Sequence, residues 1–371
     1  MRRIFLAGMM LAAGCSGAPG PKMAELSELS ASIPVRTLWQ ASVGDAGDAI
    51  LFPALAVDGV YAAAQDGTVA RFEASTGRES WRVSAGHALS GGVGSDGTLV
   101  AVGSLDGEVV ALDARSGEAR WRARVSSEVI SAPLVTGDLV IVRSADGRIF
   151  ALDAKDGRRR WLYQRTNPPL SVRSPVGMVA DRGYLLTGFA GGKLVSIALA
   201  NGNVRWETTV ALPRGSTELE RVTDVVGLPV AAEREVCAVA YQGRIGCFDF
   251  ASGNAVWSRE LSSTAGLGLD ARYVFVSDDK GAVHALDRAG GATIWKQDRL
   301  SLRRLTAPLA LGREVAVGDV EGYVHFLSRE SGAFVGRVPT DGSPIRSSLV
   351  RLDRGLLVQT QGGKLYALSA E

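Results

Sequence analysis

Three histidines, His87, His284 and His325, are the side chains of this 371-residue sequence best suited to metal binding or acid–base chemistry near neutral pH. Their positions argue against a shared site. His284 and His325 each lie three residues after a glycine that recurs along the chain, so they hold equivalent places in a repeat. The sequence also lacks a Cys- or His-rich ligand spacing, a phosphate-binding glycine loop and a Gly-x-Ser-x-Gly elbow. We therefore predict no catalytic, metal-binding or cofactor site.

Two of the three cysteines flank a segment that has the pattern of a hairpin. If Ala240–Arg244 forms a loop with Gln242 at its centre and Gly243 in the left-handed bulge position, Cys237 and Cys247 face each other across paired strands. An oxidising compartment would then permit a disulfide. A register change of one residue would instead place the two side chains on opposite faces, as small buried groups. The sequence leaves both interpretations open.

The third cysteine, Cys15, follows a segment typical of a bacterial export signal. Two arginines precede a short apolar stretch that could not span a membrane as a helix, and small residues follow. Ala12-Ala13-Gly14-Cys15 resembles the lipoprotein cleavage box, although Leu11 stands one position earlier than in its commonest form. We predict a signal peptide over residues 1–14, a lipidated Cys15 and a flexible tether over residues 15–34. Ser16 after the cysteine implies, by the same resemblance, an outer-membrane location facing the periplasm. The alternative is a secreted protein with an incidental cysteine.

The composition is that of an ordinary globular chain. Of its residues 46% are hydrophobic and 22% are charged, and the formal net charge is +2. No basic stripe with interleaved aromatic residues occurs, so we predict no binding of nucleic acid.

A glycine and a tryptophan recur at fixed spacing along most of the chain. The register glycines are Gly67, Gly107, Gly147, Gly192, Gly243, Gly281, Gly322 and Gly363. A second glycine follows each of the first seven at a constant distance, and six of these are followed by Trp81, Trp121, Trp161, Trp206, Trp257 and Trp295. Gly336 replaces the tryptophan of the seventh copy, and the remaining tryptophan is Trp39, ahead of the first copy. A period of about 40 residues is typical of propellers and solenoids.

Each copy has the pattern of four short strands. Apolar runs such as Leu139–Val142 are followed by Asp-Gly hairpin signals, and helical periodicity is absent. Eight such copies favour a closed ring, because closure hides most sheet edges. Val35–Trp39 would supply the outer strand that the last copy lacks. We predict an all-β fold over residues 35–371: an eight-bladed β-propeller of four-stranded blades, closed by the N-terminal strand, with the indoles packed between blades.

Two connections between copies are longer than the others. They follow Trp161 and Trp206, so they should emerge side by side on one face of the ring. The first contains Leu170, Val172 and Arg173, and the second contains several acids and Arg221. Exposed apolar residues beside an arginine are typical of protein interfaces. The alternative is that the two loops are long but have no function.

Several segments resemble a known family. The repeated Ala-Leu-Asp-Ala-x-x-Gly-x-x-x-Trp is similar to the quinoprotein-type propeller repeat. Leu170–Pro175, Gly215–Val225 and Val317–His325 resemble the BamB family, lipoproteins of the bacterial outer-membrane β-barrel assembly (Bam) complex. The resemblance implies an eight-bladed scaffold that binds the periplasmic POTRA domains of the barrel subunit, BamA.

The same resemblance implies particular contact residues. A Leu-x-Leu-Arg loop in the family matches Leu170, Val172 and Arg173, with valine for the second leucine. Asp224 matches the first residue of an Asp-x-Asp pair, and Val226 stands where the second aspartate would be. With Arg221 from the same long connection, these residues form the predicted partner-binding site.

The leading interpretation is therefore a non-enzymatic scaffold of the Bam complex. An exposed blade edge could also pair with strands of unfolded outer-membrane proteins. One alternative is a quinone-dependent dehydrogenase-like enzyme, but such enzymes are usually longer and often carry an adjacent Cys-Cys pair, which this chain lacks. Another is a generic periplasmic adaptor with a different partner.

Overall fold

The computed structural model describes residues 22–29, 32–57 and 59–370. All regular structure within these ranges is β-strand, and they contain no helix long and apolar enough to cross a membrane. The predicted signal peptide and Cys15 lie outside the described residues.

The strands form eight antiparallel four-stranded sheets, or blades. Blades 1 to 4 are β2 (Ala54–Ala56), β3 (Gly59–Ala63), β4 (Thr68–Glu73) and β5 (Glu79–Ser84); β6 (Leu89–Ser95), β7 (Leu99–Ser104), β8 (Glu108–Asp113) and β9 (Ala119–Arg124); β10 (Leu134–Thr136), β11 (Leu139–Arg143), β12 (Arg148–Asp153) and β13 (Arg159–Gln164); β14 (Met178–Asp181), β15 (Tyr184–Phe189), β16 (Lys193–Ala198) and β17 (Val204–Thr209). Blades 5 to 8 are β18 (Val225–Ala232), β19 (Glu235–Ala240), β20 (Arg244–Asp249) and β21 (Ala255–Glu260); β22 (Leu267–Leu269), β23 (Tyr273–Ser277), β24 (Val283–Asp287) and β25 (Thr293–Gln297); β26 (Leu309–Leu311), β27 (Glu314–Gly318), β28 (Tyr323–Ser328) and β29 (Phe334–Pro339); β30 (Val350–Leu352), β31 (Gly355–Gln359), β32 (Lys364–Ala370) and β1 (Val35–Ser42).

The N-terminal strand closes the ring, as the sequence predicts. β1 is the outer strand of blade 8 and pairs antiparallel with β32, with Val35 opposite Ala370 and Ser42 opposite Lys364. The predicted eight-bladed β-propeller of four-stranded blades is thus confirmed.

An indole packs at seven of the eight junctions between blades. Each indole N–H donates to a carbonyl of the next blade, in the pairs Trp39–Ala74, Trp81–Ala114, Trp121–Ala154, Trp161–Leu199, Trp206–Phe250, Trp257–Arg288 and Trp295–Arg329. The ring lies against the second glycine of that next copy. A Cβ on Gly157, for example, would lie 2.6 Å from the Trp121 ring. Glycine is therefore required for steric reasons wherever the indole packs.

The junction between blades 7 and 8 is built differently. Gly336 stands in place of the tryptophan, and Val35 and Ile33 pack over it. The Ile33 amide also donates to the Val335 carbonyl, 2.7 Å away. The N-terminal segment therefore fills the one junction that has no indole.

The ends of the strands define two faces of the ring. The hairpin between the second and third strands of each blade and the connection to the next blade lie at the same end. We call this end the loop face, because it carries the long connections 165–177 and 210–224.

The cysteine hairpin is also on the loop face. Cys237 and Cys247 lie directly opposite in the β19–β20 register and are joined in a disulfide. One detail of the expected loop was wrong: Gln242, with φ of 47°, and not Gly243, has the left-handed backbone. Gly243 is close-packed instead, because a Cβ there would lie 2.6 Å from that of Ala211.

Candidate partner-binding surface

The two long connections meet on the loop face through a buried carboxylate. Asp224, at the end of connection 210–224, is only 3% exposed. One carboxylate oxygen accepts a hydrogen bond from the Val172 amide, and the other accepts one from the Gly191 amide at 3.1 Å. Asp224 also forms an isolated β-bridge with Ala190. It therefore holds connection 165–177 in place across the boundary between blades 4 and 5.

Burial dominates the electrostatics of Asp224. Removal of the carboxyl group from water raises its pKa, and the two amide hydrogen bonds and the charge of Arg143 only partly offset that effect. The buried site thus disfavours the charged form of Asp224 relative to water, while the hydrogen bonds from the Val172 and Gly191 amides favour it.

Arg143 lies beneath the same loops, at the end of β11. Its guanidinium donates to the Thr187 hydroxyl at 3.0 Å and to the Gly188 carbonyl, and it stacks 4.5 Å from the Phe189 ring centroid. Burial lowers its pKa to about 10, so the group stays charged at neutral pH. Arg143 was not predicted from the sequence. The signal was a charged side chain at a repeat position where the other copies carry uncharged residues, among them Gly103, Gly188 and Gly318.

The residues on either side of the anchored Val172 amide are exposed. Leu170 is 44% exposed, Val172 is half-buried, and the side chain of Arg173 is 64% exposed. Arg173 forms one ion pair, with Glu128 on the neighbouring connection, at 2.6 Å. A cleft of about 260 Å³ opens beside them and reaches down to Arg143 and Asp224.

Connection 210–224 adds further apolar surface. Leu212 and Leu219 are 63% and 72% exposed, and Arg221 is exposed beside Glu218, at 3.7 Å. Leu212 and Leu219 were not singled out from the sequence, although large apolar residues in a long exposed connection are a recognisable signal. Several exposed apolar side chains and two exposed arginines thus share this part of the loop face.

Of the predicted site residues, the structure brings Leu170, Val172, Arg173 and Asp224 together, and Arg221 lies on the adjoining loop. Val226, which replaces the second aspartate of the family motif, is 2% exposed and packs in the core with Cys237 and Val239. The position therefore faces the junction between blades 5 and 6 in this chain, not the cleft.

The histidines do not converge. His87 pairs with Glu108, His284 with Asp278 and His325 with Asp319, each within its own part of the ring. Among the described residues, one group of potential metal ligands is close enough to share an ion, namely Glu235, Cys237 and Cys247. Both sulfur atoms belong to the disulfide and Glu235 pairs with Arg288, so this group does not offer a free ligand set.

The fold is an eight-bladed β-propeller whose two long connections form an exposed apolar and basic surface on the loop face. A family model described as outer membrane protein assembly factor BamB matches residues 65–297. The chain is 45% identical to the assembly factor BamB of Bordetella pertussis over 99% of this chain and 96% of that protein. It is 34% identical to BamB of Escherichia coli K12, over 100% and 99% of the two chains. This chain belongs to the BamB family.

Solved structures agree with this assignment. The crystal structure of BamB from Moraxella catarrhalis matches with a TM-score of 0.83 and 30% identity, over 91% of this chain and 100% of that one. A quinohemoprotein alcohol dehydrogenase from Comamonas testosteroni matches with a TM-score of 0.70 but only 14% identity, over 90% and 76% of the two chains, so it shares the fold alone. The predicted family is confirmed, and the chain belongs with assembly factors and not with the dehydrogenases that share its fold.

Proposed function

We propose that this protein is a scaffold of the outer-membrane protein assembly complex whose loop face binds the POTRA domains of BamA. Cys15 carries the lipid anchor that holds the protein at the outer membrane, facing the periplasm. Family membership supports the role in assembly, and the exposed ridge of Leu170, Arg173, Leu219 and Arg221 supports the place of contact.

The observation that carries the proposal is the way in which Asp224 fixes the Val172 amide. A loop whose backbone is already anchored loses little backbone entropy when its exposed leucine and arginine meet a partner, and such preorganisation favours affinity. Asp224 itself is too deeply buried to be the main contact, so we assign it as a positioning residue. Leu170, Arg173, Leu219 and Arg221 are the residues that meet the partner.

Arg173 is suited to exchange its partner on binding. Its ion pair with Glu128 is solvent-exposed, and exposed pairs contribute little stability, so an acidic group on a POTRA domain can replace it at small cost. Leu170 supplies the adjacent apolar anchor, of the kind that central interface positions use.

The test is co-purification with BamA from gently solubilised outer membranes. We expect Arg173→Glu and Leu170→Asp each to weaken binding at least about 30-fold, as loss of a dominant contact of 2 kcal/mol or more would. Arg78→Glu is the matched control, because Arg78 is an exposed arginine paired with one glutamate, Glu73, far from the loop face. If Arg173→Glu and Leu170→Asp both recover as much BamA as the wild type, the contact lies elsewhere on the protein.

A second measurement tests the anchor. Cys15→Ser should release the protein from the membrane into the soluble periplasmic fraction, since a single substitution removes the lipidation site. Membrane retention of Cys15→Ser in cells that lack the Bam complex would show that another segment provides the anchor.

A further inference from the structure

Part of the predicted tether is docked on the propeller. The Ala24 amide donates to the Ser301 carbonyl at 2.9 Å, and the Ala24 carbonyl accepts from Arg303 at 3.0 Å. Arg337 donates to the Ser27 carbonyl at 2.9 Å. We call Ala24–Leu29 the strap.

The strap also has an apolar contact side. Leu26 and Leu29 are half-buried and pack against the core cluster of blades 6 and 7 that contains Leu300 and Phe334, whereas Glu25 and Glu28 are exposed. The strap therefore has one side that faces the protein and one that faces solvent.

The two arginines that hold the strap are themselves held in place. Arg303 is 1% exposed and donates from Nε to Asp319 at 2.6 Å. Arg337 donates from Nε to Nδ1 of His325 at 3.2 Å, and His325 Nε2 bonds to Asp319 at 2.8 Å. Both guanidinium groups thus reach the strap from one preorganised buried network, which marks a built receptor and not an incidental surface contact.

The strap begins on the loop face. Ser301 and Arg303 lie in connection 298–308 between β25 and β26, which is the same kind of connection as 165–177 and 210–224. Ile33 and Val35 then fill the junction over Gly336, and the chain enters β1. Ala24, the first residue of the strap, therefore lies at the same face that carries the candidate partner-binding surface.

We propose that the strap holds the loop face of blades 6 and 7 close to the membrane. This rests on the proposed lipidation of Cys15. Nine residue steps separate Cys15 from Ala24, and at about 3.3–3.6 Å per residue they span roughly 30 Å at most. A tether reaching to Val35, by contrast, would have 20 steps and could extend to roughly 70 Å on the same basis. The strap thus selects the face that is turned toward the lipid surface and limits its distance.

The experiment measures resonance energy transfer from a labelled thiol to acceptor-labelled lipid in vesicles of phosphatidylethanolamine and phosphatidylglycerol. Full-length lipidated protein carries one label, through either Lys280→Cys on the loop face or Arg313→Cys at the β26–β27 turn on the opposite face. Native thiols do not interfere, because the lipid occupies Cys15 and the disulfide occupies the other two cysteines. We expect higher transfer from position 280 than from position 313.

Two variants test the strap itself. Leu26→Asp with Leu29→Asp should release it, and should lower transfer from position 280 to the level of position 313. An inserted Gly-Ser segment of about twelve residues between Ala18 and Pro19 lengthens the chain without touching the strap, and should lower transfer from both positions. Glu25→Ser with Glu28→Ser is the control in the same segment and should leave transfer at the wild-type level.

Equal transfer from the two faces in the wild type would overturn the proposal, as would unchanged transfer in the Leu26→Asp, Leu29→Asp protein. The insertion variant keeps the test decisive if the strap variant fails to fold. Failure of the anchor is recognised separately, since unlipidated protein would not float with the vesicles at all.

Discussion

Asp224 and Val172 are 52 residues apart in sequence, yet the carboxylate of one accepts a hydrogen bond from the backbone amide of the other. Because the same carboxylate also accepts from Gly191, three separate loop segments meet at one buried group. Connection 165–177, which carries Leu170 and Arg173, is held in place by this group.

Replacement of that carboxylate should loosen the loop before it unfolds the protein. Asp224→Asn keeps the size of the side chain but turns an N–H donor toward one of the two amides, so at least one hydrogen bond is lost. We expect a loss of about 1–3 kcal/mol in the free energy of unfolding and faster hydrogen exchange in peptides from residues 165–177. Binding of BamA should weaken in parallel.

Glu128→Gln provides the comparison for that variant. It removes the exposed ion pair of Arg173 without touching the loop anchor, so exchange over residues 165–177 should stay at the wild-type rate. Unchanged exchange in Asp224→Asn would show that the carboxylate does not position the loop.

The steric effect of packing an indole against glycine can be separated from the cost of placing alanine in a left-handed backbone conformation. Gly157 has φ of 74°, and an added Cβ would meet the Trp121 ring; Gly137 has φ of 58°, with nothing within 4 Å of such a Cβ. Gly137→Ala should lower the free energy of unfolding by about 1–2 kcal/mol, because alanine is disfavoured in the left-handed conformation. Gly157→Ala adds overpacking of about 1–3 kcal/mol. Urea unfolding followed by tryptophan fluorescence measures both, and equal losses would argue against the steric role.

The buried network around His325 predicts a pH-dependent stability. Burial lowers the pKa of His325 below its usual 6.5, and the charges of Arg337 and Arg303 act in the same direction, while Asp319 opposes them. The unfolded chain therefore binds a proton below about pH 6.5 that the folded chain does not. The free energy of unfolding should be highest above that pH and should fall below it, by up to about 1.4 kcal/mol per pH unit.

The other charged groups of the network act in a different pH range. Burial alone would raise the pKa of Asp319, but hydrogen bonds from His325, the Tyr323 amide and Arg303 lower it below 3.8, so its contribution is lost only in stronger acid. Urea midpoints at pH 7.5 and 5.5 should therefore differ less in His325→Gln than in the wild type. His87→Gln, at a side chain that is 43% exposed, should keep the full difference. If the two urea midpoints differ as much in His325→Gln as in the wild type, His325 is not the source of the pH dependence.

The disulfide closes a short loop, with a sequence separation of 10. On the chain-entropy model, a loop of that length contributes about 2–3 kcal/mol. Cys237→Ala with Cys247→Ala should lower the free energy of unfolding by at least that amount, because both side chains are fully buried. Reduced wild-type protein separates the crosslink from the packing, since it keeps both sulfur atoms. If reduction leaves the unfolding midpoint unchanged, the crosslink adds nothing to stability.

The features that could be predicted from the sequence are those that repeat. Glycine and tryptophan recur because seven of the eight junctions pack an indole against a glycine, and the displaced Trp39 revealed the closing strand. Facing cysteines were one of the two arrangements that the hairpin pattern left open, because a register change of one residue reverses the faces; the structure has the facing one.

Contacts between distant segments could not be predicted in this way. Nothing near Asp224 in sequence indicates that it bonds to Val172, and its part in the family motif suggested a contact residue rather than a buried one. The glycine and proline content of residues 15–34 predicted a flexible tether. The bounds of that segment stay a prediction, but Ala24–Leu29 are docked on the propeller and not flexible. The apolar side chains of Leu26 and Leu29 were the signal in the sequence. That signal could not be interpreted from the sequence alone, because the residues that bind the strap, Arg303 and Arg337, are 279 and 310 residues from their partners Ala24 and Ser27.

Closure of the ring by β1 and β32 has a consequence for how the fold is completed. The two paired strands stand at opposite ends of the propeller sequence, and such non-local pairing is slow to form. Until β32 pairs with β1, Trp39 lacks a blade from which to reach Gly77, and Gly336 lacks the side chains that cover it. Loss of that one pairing would therefore open both junctions of blade 8, so a single pair of strands settles the packing of three neighbouring blades.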